Sequence, residues 1–122
     1  MKKIINKKTV LIVDDDIGIT EALFFMLTYE GYNVVIDKGD DVFKNIKKHK
    51  PFIILLDILL SGFDGREICK AIQKNEEFKN IPIVLLSAHP SAYLTYKKYG
   101  AKYFLSKPFD NSKLLDILQG EK

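Results

Sequence analysis

The chain has 122 residues, 47% of them hydrophobic and 29% charged, with a net charge of +3. That composition describes one ordinary globular domain with enough apolar residues for a substantial core, and it holds no repeat or low-complexity segment. The longest apolar runs are only strand length, which argues against a membrane span, and the lysines are scattered instead of forming an aromatic-interleaved stripe, which argues against nucleic-acid binding.

The N-terminus, MKKIINKK, leads toward a strand and lacks the apolar region and small-residue cleavage site of a signal peptide. Thr9 to Val13 (TVLIV) reads as a buried strand ending in three carboxylates, Asp14, Asp15 and Asp16. Ile17 to Tyr29 follows as a helix with apolar residues at 19, 22, 23, 26 and 27, capped by Asp16 and stopped by Gly31. Phe24 and Phe25 fall off that stripe, next to the acids, as a partner surface or as packing against a neighbour. Asn33 to Ile36 is a second strand, and Gly39 to Lys48 a second helix with Val42, Phe43 and Ile46 facing inward.

Pro51 resets the chain into FIILLDILLSGFDG, five apolar residues running into Asp57 and then a glycine-rich loop. So short a run reads as a strand buried on both faces, with Asp57 at its carboxyl end, as a site for chemistry or as a loop cap. Arg66 to Lys74 is a third helix with Ile68, Cys69 and Ile72 on one side, which makes Cys69 a core residue. As the lone cysteine it permits no internal disulfide, in keeping with a cytoplasmic location. Ile81 to Leu86 is a fourth strand ending at Ser87, Pro90 to Lys98 a fourth helix stopped by Gly100, and Lys102 to Ser106 a fifth strand closing on Lys107-Pro108. The last helix starts near Asp110 or Asn111 and turns Leu114, Leu115 and Leu118 inward.

Strict strand–helix alternation implies an α/β fold: one doubly wound, five-stranded parallel sheet with helices on both faces, since right-handed crossovers place them there. The flavodoxin-like order 2-1-3-4-5 makes strands one and three neighbours, so their carboxyl ends bring Asp14, Asp15 and Asp57 together. Strands four and five add Ser87 and Lys107 beside them. Three carboxylates this close cannot all stay ionised without a cation, and an all-oxygen donor set suits Mg²⁺. Mg²⁺ in turn favours a phosphoryl oxygen as its next ligand, Lys107 offers a point charge to a second oxygen, and Ser87 a hydroxyl to a third. The constellation is able to receive a phosphoryl group on a carboxylate.

These residues resemble the receiver domain of two-component response regulators over nearly the whole chain. LIVDDD resembles the family's acidic start, LLDILLSGFDG its phosphoacceptor loop, LLSA its hydroxyl-bearing strand end and GAKYFLSKPF its lysine segment. The resemblance implies Asp57 as phosphoacceptor, and Asp14, Asp15, Asp57 and the backbone carbonyl of Leu59 as Mg²⁺ ligands. It also implies that Ser87 and Lys107 contact the phosphoryl oxygens, that Phe104 takes the place of the switch aromatic, and that the Lys107-Pro108 peptide is cis. Expected partners are a sensor histidine kinase or histidine phosphotransfer protein as donor and a downstream protein or effector domain as target, with a phosphorylation-dependent dimer also compatible and no membrane or direct nucleic-acid contact. One receiver domain spanning 1–122, with its core at about 8–119 and no effector domain, is expected to act as a signalling module and not as a turnover enzyme.

Departures from the family pattern bear on rate and partners. Ser61 stands where the family often has proline, which is expected to leave the loop less rigid, and an apolar Leu59 cannot orient a water, which implies slow self-dephosphorylation. Ser87 and Phe104 replace the commoner threonine and tyrosine, and the interval between Ser87 and Lys107 is short, which implies a trimmed fourth helix or entry loop. Asp14-Asp15-Asp16 also reads as the D-x-D of a haloacid-dehalogenase-like phosphatase with Asp14 as nucleophile, although Gly18 stands where threonine is expected. A pseudo-receiver that binds partners without phosphorylation is the other alternative. A flavodoxin-like FMN carrier lacks its phosphate loop here, where the chain has three acids.

Overall fold

A computed structural model describes residues 8–121. The reading of the first seven residues as a lead-in, not a targeting segment, lies outside the described residues. Five parallel strands, β1 (Thr9–Val13), β2 (Asn33–Asp37), β3 (Ile53–Asp57), β6 (Ile83–Ser87) and β7 (Tyr103–Ser106), form one sheet in the order β2-β1-β3-β6-β7. This is the predicted 2-1-3-4-5 order.

Strand residues alternate between two cores, because successive side chains point to opposite faces. Leu11, Val13, Ile54, Leu56, Ile83 and Leu85 pack under α2 (Val42–His49) and α3 (Gly65–Lys74) through Val42, Ile46, Cys69 and Ile72. On the opposite face Val10, Ile12, Ile53, Leu55, Val84 and Leu86 meet Leu23 and Leu27 of α1 (Ile17–Tyr29) and Leu114 and Leu118 of α4 (Asn111–Gly120). Every residue of β3 is buried, and each such aliphatic side chain stabilises the fold by about 1.5–3 kcal/mol. The central strand therefore anchors both layers.

Cys69 is fully buried as expected, and burial pushes its thiol up to about 12, which makes it inert packing. Among the described residues no helix is long and apolar enough to cross a membrane.

Three expectations change. The second helix begins at Val42, because Asp37 binds the N–H groups of Gly39 and Asp41 and the Asn45 amide, which holds the preceding residues as a loop; Phe43 lies toward solvent while Val42 and Ile46 are buried. Instead of a fourth α-helix, two 3₁₀ helices span Pro90–Leu94 and Tyr96–Tyr99. A 3₁₀ segment rises about 2.0 Å per residue against about 1.5 Å for α, so a short chain covers the same crossover by tightening its turns. Finally, the loop after Asp57 contains a small antiparallel hairpin, β4 (Leu59–Leu60) and β5 (Phe63–Asp64). Its signal was the Ser61-Gly62 step between Leu60 and Phe63, a two-residue turn with Gly62 at φ 81°.

Candidate functional site

Each polar residue singled out in the sequence sits on the last rung of a strand or just past it. Asp14 continues the β1–β2 ladder by donating its N–H to the Asp37 carbonyl at 3.0 Å, and Asp57 is the final residue of β3, paired with Leu86. Ser87 ends β6. Its carbonyl accepts the Lys107 N–H at 2.8 Å, which extends the β6–β7 ladder to the lysine just before a cis Lys107-Pro108 peptide.

At that edge Asp14, Asp15 and Asp57 offer carboxylate oxygens that all lie within 4.8 Å of one another. Lys107 Nζ bridges two of them, 2.8 Å from Asp14 Oδ2 and 3.1 Å from Asp57 Oδ2, with Asp14 fully buried and the other two side chains nearly so. Asp14 Oδ1 also accepts the Asp16 N–H at 2.9 Å, and Asp15 Oδ2 accepts the Ser61 N–H at 2.7 Å. The cluster thus joins the loops after β1, β3 and β7.

Electrostatics separates the acids. Burial, with the Asp14 charge beside it, raises the proton affinity of Asp57 above the usual carboxylate range despite the opposing pull of Lys107 and of the Leu59 N–H. Asp15 is displaced the other way, because the Ser61 main-chain N–H, helped by the Ser61 hydroxyl, favours its ionised form. For Lys107, burial works against the charge, but the bonds to Asp14 and Asp57 outweigh it and hold the ammonium above its ordinary value. One cation therefore serves two buried acids, leaving the set electron-rich. Three carboxylates with this spacing fit a hard divalent ion such as Mg²⁺.

Behind Asp57 the backbone is packed tightly. A Cβ on Gly65 would lie 2.0 Å from the Asp57 carbonyl oxygen, so glycine alone lets α3 begin here, and the Gly65 N–H donates to the Ile58 carbonyl at 2.8 Å. Asp64 caps the helix through the Arg66 N–H at 2.9 Å and also takes a two-pronged contact from the Arg66 guanidinium at 3.0 and 2.9 Å.

The other sequence candidates lie around this centre. Leu59 opens the hairpin with its side chain 69% exposed. The Ser87 hydroxyl is buried, accepting the His89 N–H at 2.9 Å and donating to the His89 carbonyl at 3.4 Å. It lines a cavity of about 520 Å³ together with Ile58, Leu59, Arg66 and Tyr99. Phe104 is half-buried against Tyr93 and Tyr96, with ring centroids 5.9 and 5.8 Å away. Tyr99 faces α3, taking the Lys70 ammonium 5.2 Å from its ring centre. The sequence did not foretell the Ser61–Asp15 bond, because the hairpin that aims the Ser61 N–H was itself read as open loop.

The model of the response regulator receiver domain family matches residues 10–119. Among solved structures, the chain is similar to a protein assigned as a response regulator from Chloroflexus aurantiacus, with 31% identity, 95% of this chain and 98% of that chain covered, and a TM-score of 0.88. It is similar to the chemotaxis protein CheY4 of Vibrio cholerae, with 30% identity, 96% and 100% coverage and a TM-score of 0.85. At 24% identity it shares its fold with the receiver domain of the sensor histidine kinase PA1611 of Pseudomonas aeruginosa, covering 94% and 97% of the two chains with a TM-score of 0.84; that structure has a magnesium ion coordinated in its active-site cleft.

Proposed function

Since this chain belongs to the response regulator receiver domain family of two-component systems, we propose that it takes a phosphoryl group from a phosphohistidine onto Asp57 and thereby switches a protein-interaction surface. The observation that carries this reading is the Lys107 ammonium held between Asp14 and Asp57 within a three-carboxylate cluster.

In the transfer, an Asp57 carboxylate oxygen forms the new bond to phosphorus while the phosphorus–nitrogen bond of the donor breaks and the imidazole leaves with the bonding pair. The raised proton affinity of Asp57, against the lowered one of Asp15, makes Asp57 the more basic of those two carboxylates. Asp14, Asp15, Asp57 and the Leu59 carbonyl would hold Mg²⁺, which would supply charge neutralisation for the incoming phosphoryl group. Lys107 already lies 3.1 Å from Asp57 and needs only a small movement to pair with a phosphoryl oxygen. Asp14 and Asp15 keep the edge anionic, and with Leu59 unable to orient water, self-dephosphorylation is slow.

Ser87 links acceptor to surface. A phosphoryl oxygen draws its hydroxyl away from His89, the segment after β6 follows, and the Phe104–Tyr93–Tyr96 cluster repacks. Tyr93 and Leu94, 62% and 82% exposed, are the contact residues offered to a downstream protein, effector domain or second copy. A sensor histidine kinase or histidine phosphotransfer protein docks beside the acids, where Ile17 and Phe25 of α1 are exposed.

The test is incubation with phosphoramidate or acetyl phosphate and Mg²⁺, followed by intact mass of wild type, Asp57→Ala and Asp14→Ala. A single stable phosphoryl adduct that Asp57→Ala abolishes supports the reading. Rapid donor turnover that only Asp14→Ala abolishes would mean a phosphatase with Asp14 as nucleophile, and no adduct without Mg²⁺ affinity would mean an interaction module that works unphosphorylated.

A further inference from the structure

The hydrogen bond from Ser61 to Asp15 touches neither Asp57 nor Lys107. Ser61 is the first of two turn residues joining β4 to β5, and its N–H reaches 46 residues back to Asp15 Oδ2 at 2.7 Å. A turn with negative φ at its first residue and glycine at positive φ second, as at Ser61 and Gly62 (φ 81°), is one that commonly takes proline first. Proline would stiffen the hairpin but would carry no N–H.

Asp15 is the acid that most needs such a donor. Asp14 is fixed by Lys107 and by the Asp16 N–H, and Asp57 is the last residue of a fully buried strand, whereas Asp15 lies on the loop beyond β1 and is half-exposed. Without a tether, its carboxylate must give up rotamer freedom when it ligates an ion. We propose that the Ser61 main-chain N–H is a positioning group that holds Asp15 in place for Mg²⁺, so that the ion's affinity depends on a peptide N–H at position 61. The inference rests on Asp14, Asp15 and Asp57 being the Mg²⁺ site. The N–H also withdraws a little negative charge from Asp15, but outer-shell donors of this kind favour binding, and losing one costs about 10–100-fold in metal affinity.

The experiment is Mg²⁺ titration calorimetry on wild type, Ser61→Pro and Ser61→Ala, with the Ser61 amide resonance recorded in metal-free wild type and Asp15→Ala. Ser61→Pro, which loses the N–H, is expected to bind Mg²⁺ about tenfold more weakly, and Ser61→Ala, which keeps the N–H and loses only the hydroxyl, to lose clearly less. The Ser61 amide proton is expected downfield in wild type and to move upfield in Asp15→Ala, a readout that involves neither metal nor phosphorylation. Unchanged affinity in Ser61→Pro overturns the proposal, as does an equal loss in Ser61→Ala or an amide resonance indifferent to Asp15. If the amide behaves as expected yet wild type binds no Mg²⁺, the metal-site reading itself is wrong and this inference falls with it.

Discussion

Asp57 is held in a state that costs stability. Its folded proton affinity is raised, chiefly by burial and then by the Asp14 charge, so its ionised form is disfavoured in the native protein relative to the unfolded chain. A carboxyl raised in this way contributes stability that is fully present below its unfolded pKa and is lost as pH rises through its folded pKa. Asp57→Asn keeps the shape and discards the charge. In metal-free buffer at neutral pH the variant is expected to melt a few degrees above wild type, with the difference shrinking as pH falls through the folded pKa of Asp57 toward its unfolded value. Scanning calorimetry over that range checks this; a variant less stable than wild type at neutral pH would mean that the Lys107 pairing outweighs burial. Mg²⁺ is expected to reverse the order, because on the proposed reading it would bind the native wild type and lose a ligand in the variant. The Asp57 side chain was legible as a candidate from a strand run and a following loop. The direction of its shift was not, since it depends on burial and on a neighbour 43 residues earlier (57 minus 14).

Of the crossovers in the sheet, the segment between β6 and β7 is the one made of 3₁₀ turns instead of an α-helix. Pro90–Leu94 and Tyr96–Tyr99 are 3₁₀ turns, whose hydrogen bonds are poorly aligned, and their packing rests on half-buried Tyr96, Tyr99 and Phe104 with no fully buried residue in the second turn. Hydrogen exchange is expected to be at least tenfold faster for amides 92–99 than for those of β3 and β6. Phosphorylation is expected to change exchange most within 88–104 and least in α1. Equal protection across the sheet and this segment would contradict a switch built on its looseness. Pro90 at a first helical position and Gly100 as a stop predicted a helix over Pro90 to Lys98. Which helix forms was decided by how few residues span the crossover, a tertiary constraint that local spacing does not carry. The hairpin after Asp57 was hidden for the opposite reason: each of its strands is two residues long, too short for periodicity, and only the Ser61-Gly62 step marked it.

The whole molecule was more legible than its parts. Short buried runs separated by helical patterns admit few topologies, and the order β2-β1-β3-β6-β7 follows from right-handed crossovers with the chain reversing once. That order makes residues as distant as Asp14, Asp57, Ser87 and Lys107 neighbours at one sheet edge, and ladder bonds such as Lys107 N–H to the Ser87 carbonyl fix where each side chain emerges. Chemistry at that edge depends on a rigid sheet below, so the site inherits its precision from β3. Among three clustered acids, Asp57 is the one proposed to accept the phosphoryl group. The most direct test is to phosphorylate the chain with acetyl phosphate and Mg²⁺, reduce the acyl phosphate with borohydride, and map the reduced residue by peptide sequencing. Reduction at position 57 alone is the predicted result; reduction at position 14 or 15, or none at all, would contradict it.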